Sequence, residues 1–119
     1  MDTAKSKWIT VCTQEDMVPY LGVCALVGNE QVAVFLVDEQ FYAISNYDPF
    51  SRANVLSRGL VGDLKGELVV ASPIYKQHFS LATGACLEDD SIHLAVYPVR
   101  MQDGLIQVSS ESVAESKAA

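Results

Sequence analysis

Two short proline-centred segments are the places where this chain brings together side chains that could do chemistry. The first is Asp48-Pro49-Phe50, and the second is Ser72-Pro73-Ile74-Tyr75. Between them lie a run punctuated by glycines and a short apolar strand, residues 68–71. Two loops joined through such a strand can bring their side chains together at one site. Because a residue before proline is restricted to extended backbone, Asp48 and Ser72 would each keep the course of their loop.

Other residue types with catalytic potential occur without a pattern that would make them act together. The carboxylates of residues 38–39 and 88–90 lie in predicted turns, where solvated acidic side chains are the ordinary case. His78 and His93 follow strand-like patterns and are expected to be structural. The sequence has no glycine-rich phosphate loop, no nucleophile elbow and no metal-ligand spacing. We therefore expect no catalytic residue in this chain and no catalysis by it alone.

Short β-strands are the elements that must position the two segments. Runs rich in β-branched and aromatic residues, separated by turn signals, predict roughly nine strands, with residues 59–62 as either a strand or a turn. The other predicted strands are 8–12, 22–27, 31–37, 41–45, 67–71, 76–80, 93–97, 99–101 and 105–108. The unbroken apolar run of residues 32–37 predicts a strand covered on both faces. Apart from one possible helical turn at residues 13–16, the chain is predicted to be an all-β antiparallel sandwich or barrel.

Composition places the chain among single-domain globular proteins. Its 119 residues are 50% hydrophobic and 19% charged, which suffices for one core. A formal charge of −7 argues against a nucleic-acid partner, because phosphates require a basic face. No apolar run approaches the ~18 residues of a membrane span, so no membrane partner is expected. Residues 1–7 are expected to be flexible, residues 8–108 to form the domain, and residues 109–119 to be a disordered tail.

The cysteines indicate the compartment. Cys12, Cys24 and Cys86 are odd in number, far apart and set among apolar neighbours. Buried, reduced thiols explain this better than a disulfide or a reactive thiol. The N-terminus has lysines but lacks the apolar segment of a signal peptide. A cytoplasmic protein is therefore expected.

Longer motifs around the two segments carry a specific resemblance. The first half contains Tyr42-Ala43-Ile44-Ser45-Asn46 and, after the first proline, Leu56-Ser57-Arg58-Gly59-Leu60-Val61. The second half contains Val69-Val70-Ala71-Ser72-Pro73 and Phe79-Ser80-Leu81-Ala82-Thr83-Gly84. Together these motifs resemble a Rieske-type ferredoxin domain over about residues 8–108. The resemblance implies a Rieske-like β-sandwich or barrel with a two-loop subdomain of the cluster-binding type.

The ligands that this resemblance would require are missing. In a cluster-bearing Rieske domain the first loop has Cys-Pro-His and the second Cys-Pro-x-His, so that two thiolates and two imidazoles hold the [2Fe–2S] centre. The four corresponding positions are here Asp48, Phe50, Ser72 and Tyr75. No Cys-x-His or Cys-x-x-His pair occurs elsewhere, so we predict that this chain binds no cluster, metal or cofactor. Phe50, Ile74 and Tyr75 are bulky enough to fill the space, at ~1.5–3 kcal/mol for each side chain buried.

The first-loop triplet Asp48-Pro49-Phe50, together with Val23-Cys24-Ala25-Leu26 and Gly66-Glu67-Leu68, narrows the resemblance to one family. These motifs are similar to those of the small subunits of cytoplasmic NAD(P)H-dependent nitrite reductases. The resemblance implies a non-catalytic subunit that supports a large subunit carrying FAD, a [4Fe–4S] cluster and sirohaem. That large subunit would reduce nitrite to ammonium in nitrate assimilation, and it is the expected partner.

The exposed part of the two segments is the predicted contact with that partner. Residues 48–76 carry four basic and three acidic side chains, a net charge of +1 in a chain of −7. Arginine and aromatic residues are typical anchors of interfaces. The predicted partner-binding residues are Tyr47, Phe50, Arg52, Arg58, Ile74, Tyr75 and Lys76. The alternative is that these residues only repack the fold.

Two other functions remain open from the sequence. The first is a free-standing Rieske-type ferredoxin that carries electrons to an oxygenase, which the missing ligands disfavour. The second is a small-molecule-binding barrel, which would need a concave apolar pocket. Visible absorption of the purified protein separates the first of these from a module without a cluster.

Overall fold

The computed structural model describes residues 8–74 and 76–112, and within these ranges the chain is all-β. These residues form fourteen strands and two 3-10 turns, Gln14–Asp16 and Leu56–Arg58, without an α-helix. The predicted fold class is confirmed, although the strands are shorter and more numerous than expected. None of the described residues belongs to a helix that is long and apolar enough to cross a membrane.

A four-stranded antiparallel sheet separates two hydrophobic cores. Its strands, in spatial order, are β12 (Val96–Tyr97), β4 (Gln40–Ser45), β3 (Glu30–Val37) and β2 (Val23–Val27). Ala33, Phe35 and Val37 of β3 pack into one core, while Val32 and Val34 pack into the other. Both faces of β3 are therefore buried, which confirms the two-sided burial predicted from its unbroken apolar run.

A five-stranded sheet covers the first of these cores. In spatial order it consists of β11 (Asp89–His93), β10 (Ala85–Cys86), β9 (His78–Ser80), β8 (Glu67–Ala71) and β7 (Leu60–Leu64). Val70 and Phe79 from this sheet pack with Phe35 and Ile44 from the four-stranded sheet. Leu56, which is fully buried, joins the same core from the segment before β7.

A three-stranded sheet joins the two ends of the described chain. Its strands are β1 (Trp8–Thr13), β14 (Leu105–Ser109) and β13 (Val99–Gln102), with β14 in the middle. Trp8 pairs with Ser109, so strand pairing reaches one residue beyond the predicted end of the domain at residue 108. The predicted flexible residues 1–7, and residues 113–119 of the predicted tail, lie outside the described residues.

The predicted strand 93–97 is wrong, because the chain changes sheets there. His93 ends β11, the Leu94 N–H donates to the Gly84 carbonyl at 2.8 Å, and Val96 then pairs with Ile44 of β4. Two other predicted boundaries also differ from the structure. Residues 89–90 belong to β11 instead of a turn, and the strand predicted from residue 76 begins at His78.

The cysteines are free, but they are not all buried as predicted. Cys86 is buried, Cys12 is half-buried, and Cys24 is exposed. Cys24 faces outward because its neighbour Ala25 takes the inward position on β2. Burial is the main cause that raises the pKa of the Cys12 and Cys86 thiols, so neither is an activated nucleophile.

Candidate functional site

The two proline-centred segments lie in two loops that come together at one end of the β7–β8 hairpin of the five-stranded sheet. The first loop, residues 46–59, connects β4 to β7, and the second, residues 72–77, connects β8 to β9. Leu60 after the first loop pairs with Ala71 before the second, which brings the loops together. We call residues 46–59 and 72–77 the loop tip. Tyr75 lies outside the described residues.

Buried Asn46 closes the base of the first loop. Its side-chain Oδ1 accepts a hydrogen bond from the Ser57 N–H at 2.6 Å, and its backbone carbonyl accepts one from the Leu56 N–H at 3.1 Å. Its Nδ2 donates to Gln31 Oε1 at 3.2 Å, which ties the loop to β3. Between these contacts the loop folds into a short ribbon of β5 (Tyr47–Asp48) and β6 (Ala53–Asn54). The segment was predicted to contain no strand, and this prediction is wrong.

A buried hydrogen bond joins the two loops directly. The Ser72 hydroxyl donates to Asp48 Oδ2 at 2.5 Å, and both residues are fully buried. The same oxygen accepts from the Ser51 hydroxyl at 2.9 Å, and Asp48 Oδ1 accepts from the Phe50 N–H at 2.9 Å. Three donors therefore replace the water that the Asp48 carboxylate loses on burial.

The two loops have the same local hydrogen-bond pattern. In each, the side-chain oxygen before the proline accepts from the N–H two residues later, at 2.9 Å for Phe50 and 3.3 Å for Ile74. In each, the carbonyl oxygen of that first residue accepts from the N–H four residues later, which belongs to Arg52 or Lys76. The loops are therefore equivalent turns, linked through the first residue of each.

Phe50 and Ile74 occupy equivalent positions but have different surroundings. Phe50 packs against the core, with its ring centroid 6.2 Å from that of Phe79 and the ring planes tilted by 44°. It fills space beneath the first loop, as expected. Ile74 is 46% exposed, so the prediction that it also fills this space is wrong. The predicted role of Tyr75 as a filler lies outside the described residues.

The residues at the loop tip do not fit the [2Fe–2S] cluster that a Rieske domain implies. Asp48 and Ser72 stand at the two cysteine positions, and their side-chain oxygens bind each other. Phe50, at the first histidine position, has no lone pair to offer iron and packs into the core. Within residues 8–74 and 76–112, no group of three His, Cys, Asp or Glu side chains could hold a metal ion. No chemistry is therefore assigned to a cluster at this tip.

Most of the predicted partner-binding residues lie at the surface of the loop tip. Tyr47 is 43% exposed, and Arg52, Arg58 and Lys76 are exposed as well. The three cations of the tip are exposed, whereas its single carboxylate, that of Asp48, is buried. The outward face of the tip therefore combines positive charge with exposed apolar side chains. Phe50 is the exception, since its ring is directed to the core.

A histidine–glutamate pair next to the second loop was missed in the sequence. The His78 backbone N–H donates to Glu88 Oε1 at 2.8 Å, and His78 Nδ1 lies 2.6 Å from Glu88 Oε2. The sequence pattern predicts Glu88 in a solvated turn, without a partner. Burial alone would raise the pKa of Glu88, but the hydrogen bonds and charge of His78 lower it below its ordinary value. Ten residues separate the partners, so only the β9–β10 pairing brings them together.

Glu88→Gln is expected to remove a pH-dependent part of the stability. Because the folded-state pKa of Glu88 is lowered, its contribution is present above the ordinary value of 4.5 and is lost as the pH falls through the folded pKa. Solvent screens this half-exposed pair, so the effect stays below about 1 kcal/mol. Urea unfolding at neutral and acidic pH should show a wild-type advantage only at neutral pH. Exposed Glu67→Gln is the control, and an advantage that persists in acid would contradict this role.

Comparison with known proteins gives matches over nearly the whole chain. A sequence profile described as a Rieske-like [2Fe–2S] domain matches residues 7–109. The nitrite reductase (NADH) small subunit of Escherichia coli strain K12 is 48% identical over 105 residues, which are 87% of this chain and 97% of that protein. The solution structure of the E. coli protein NirD has a TM-score of 0.82 at 47% identity, covering 88% of this chain and 97% of that one.

A third relative is much longer than this chain. The nitrite reductase [NAD(P)H] large subunit of Klebsiella oxytoca is 36% identical over 106 residues. These residues are 89% of this chain but 11% of that protein. Related sequences therefore occur both as separate small proteins and as one segment of a large polypeptide.

Proposed function

Because the chain belongs to the Rieske-like [2Fe–2S] domain family, among the small subunits of NAD(P)H nitrite reductase, we propose that it is a docking subunit without a cluster of its own. It would support the large subunit that transfers electrons from the nicotinamide to nitrite. The observation that carries this proposal is the Asp48–Ser72 hydrogen bond. Asp48 and Ser72 stand where a Rieske domain has its two cysteine ligands. Their hydrogen bond holds the two loops together but cannot carry electrons.

The large subunit would supply the chemistry. The family resemblance implies that it carries FAD, a [4Fe–4S] cluster and sirohaem, which suffice for electron transfer from the nicotinamide to nitrite and for formation of ammonium. The Klebsiella oxytoca large subunit supports a lasting association, since it contains a segment similar to this chain. A domain that is fused in one relative and separate in another is expected to stay bound to the same enzyme.

The loop tip is the face that we expect to meet the large subunit. Tyr47 and Ile74 are exposed there beside Arg52 and Lys76, and this mixture of aromatic, aliphatic and basic side chains is typical of interface anchors. Phe50 contributes indirectly, since its packing on Phe79 supports the first loop from below.

The double variant Tyr47→Ser/Ile74→Ser tests this contact. Both side chains are exposed, so their replacement is expected to leave the fold intact and to weaken binding of the large subunit by roughly tenfold or more. Affinity is measured by titrating purified large subunit with this chain. Nitrite-dependent NADH oxidation is measured in parallel, with and without each variant. Phe50→Ala is less informative, because it also removes core packing.

Met101→Ser is the matched control, because Met101 is 47% exposed but lies beside Phe41, at the end of β4 remote from the loops. It should bind and support activity like the wild type. If the tip variant does the same while remaining folded, the interface lies elsewhere. If the large subunit neither binds the wild-type chain nor depends on it, the docking role is wrong.

A cytoplasmic location is part of the same proposal. It is supported by three cysteines that remain unpaired, as is usual in a reducing compartment. The ferredoxin alternative has less support, because Asp48, Phe50 and Ser72 offer no set of iron ligands. Natively purified protein with the visible absorption of an iron–sulfur cluster would restore that alternative.

A further inference from the structure

Each loop of the tip places one basic residue at the same position. Arg52 lies four residues after Asp48, and Lys76 lies four residues after Ser72. The backbone N–H groups of Arg52 and Lys76 donate to the carbonyl oxygens of Asp48 and Ser72 at 2.7 and 3.1 Å. Their φ angles, 61° and 66°, are also nearly the same. Because the loops are joined through Asp48 and Ser72, the two cations occupy equivalent places in the two halves of the tip.

Left-handed backbone is unusual for arginine and lysine. A Cβ atom makes positive φ unfavourable, and glycine adopts it without that cost. The fold itself does not use these two side chains, since both are exposed. Across the described residues, no side-chain hydrogen bond or ion pair holds Arg52 or Lys76. Arg52 and Lys76 are therefore available for a contact with another molecule, and unlike Lys65, which also has a positive φ, they lie on the two loops that the Asp48–Ser72 hydrogen bond joins.

The charge of the surroundings indicates the chemistry of that molecule. The loop tip contains three cations, Arg52, Arg58 and Lys76, and its one carboxylate, Asp48, is buried under three donors. The other acidic residues of this strongly acidic chain lie outside residues 46–59 and 72–77, and exposed Glu30 lines a surface pocket together with Tyr47 and Pro49 of the tip. Glu88, which is next to the second loop in space, is already paired with His78. The positive charge of the tip attracts an acidic partner surface, whereas the negative charge of the rest of the molecule repels it.

We propose that Arg52 and Lys76 form a two-point cationic clamp that binds carboxylates on an acidic surface of the large subunit. This inference rests on the proposed docking role and specifies the chemistry of the partner surface. The equivalence of the two loops sets the spacing of the two cations. The exposed side chain of Ile74 adds an apolar contact with the partner surface. The clamp determines the orientation and rate of association, which are the properties that peripheral charges influence most.

The double variant Arg52→Gly/Lys76→Gly separates the clamp from the fold. Glycine removes both charges and also relieves the strained backbone, so the melting temperature should be unchanged or higher. Titration with purified large subunit at low ionic strength should show affinity reduced by roughly tenfold. The difference from wild type should shrink at high ionic strength, because salt screens the ion pairs that the wild type makes.

Lys65→Gly is the matched control. Lys65 is also exposed, basic and at positive φ (54°), but it lies in the turn between β7 and β8, at the opposite end of that hairpin from the loops. Its replacement should leave affinity unchanged, whereas Arg52→Glu/Lys76→Glu should weaken binding more than the glycine variant does. Equal loss from Lys65→Gly would overturn the clamp, and so would wild-type affinity of the double glycine variant at both ionic strengths. If the wild-type chain itself does not bind the large subunit, the docking role fails first.

Discussion

Replacing Asp48 by alanine is expected to lower the free energy of unfolding by about 3–5 kcal/mol. The variant leaves the hydroxyls of Ser51 and Ser72 and the N–H of Phe50 without their acceptor. A buried donor without a partner costs about 1–3 kcal/mol, and water that enters the new space would satisfy some of these donors. Urea denaturation of the isolated chain measures the change in the free energy of unfolding.

Two further variants show whether the loss belongs to the link between the loops. Ser72→Ala removes one donor and should cost about 1–2 kcal/mol, so the double variant with Asp48→Ala should be less destabilised than the sum of the two single variants. Asp63→Ala is the control, since Asp63 accepts one hydrogen bond from the Gly66 N–H in an exposed turn at 2.8 Å. If Asp48→Ala is no more harmful than Asp63→Ala, the buried link does not stabilise the tip.

Substituting Gly84 by alanine is expected to cost about 3 kcal/mol or more, because two unfavourable effects add. Its φ angle is 81°, and a Cβ atom there would overlap the carbonyl oxygen of Leu94. The Gly84 carbonyl also accepts the hydrogen bond from Leu94 at the point where the chain passes from β11 to β12. Displacing this segment would disturb both sheets at once. Thermal unfolding followed by circular dichroism measures the effect.

Gly104→Ala isolates the conformational part of this effect. Gly104 has a similar φ of 78°, but a Cβ atom there would meet nothing within 4 Å. Its replacement should therefore cost only about 1 kcal/mol. The difference between the two variants measures the steric conflict at Leu94. Equal losses would mean that the close approach relaxes easily.

The sequence predicts most of the sheet because its strands carry their own signals. The β-branched run of β3 has no polar face, and burial on both sides of that strand is its direct consequence. Thr13 and Asp16 likewise predict a short helical turn, which forms with the Asp16 carboxylate accepting from the Thr13 N–H at 2.9 Å. The two prolines mark both loops of the tip, since each fixes the backbone of the residue before it.

The contacts between loops could not be predicted in this way. Asp48 and Ser72 are 24 residues apart, and each is a residue type that usually faces water. Their burial depends on how β4, β7 and β8 place the loop ends, and local patterns do not encode that placement. His78 and Glu88 were missed for the same reason. Cys24 was expected to be buried from its apolar neighbours, but only its position on β2 decides which way it points.

The Asp48–Ser72 bond also bears on how the subunit matures. A tip held by iron and sulfide is completed only after an assembly system delivers the cluster, and it is lost again when oxygen attacks the cluster. Here both partners of the bond are parts of the polypeptide, so the tip takes its shape in the same step as the sheets beneath it. The proposed docking face would then form in the folding step itself, without waiting for the delivery of a cluster.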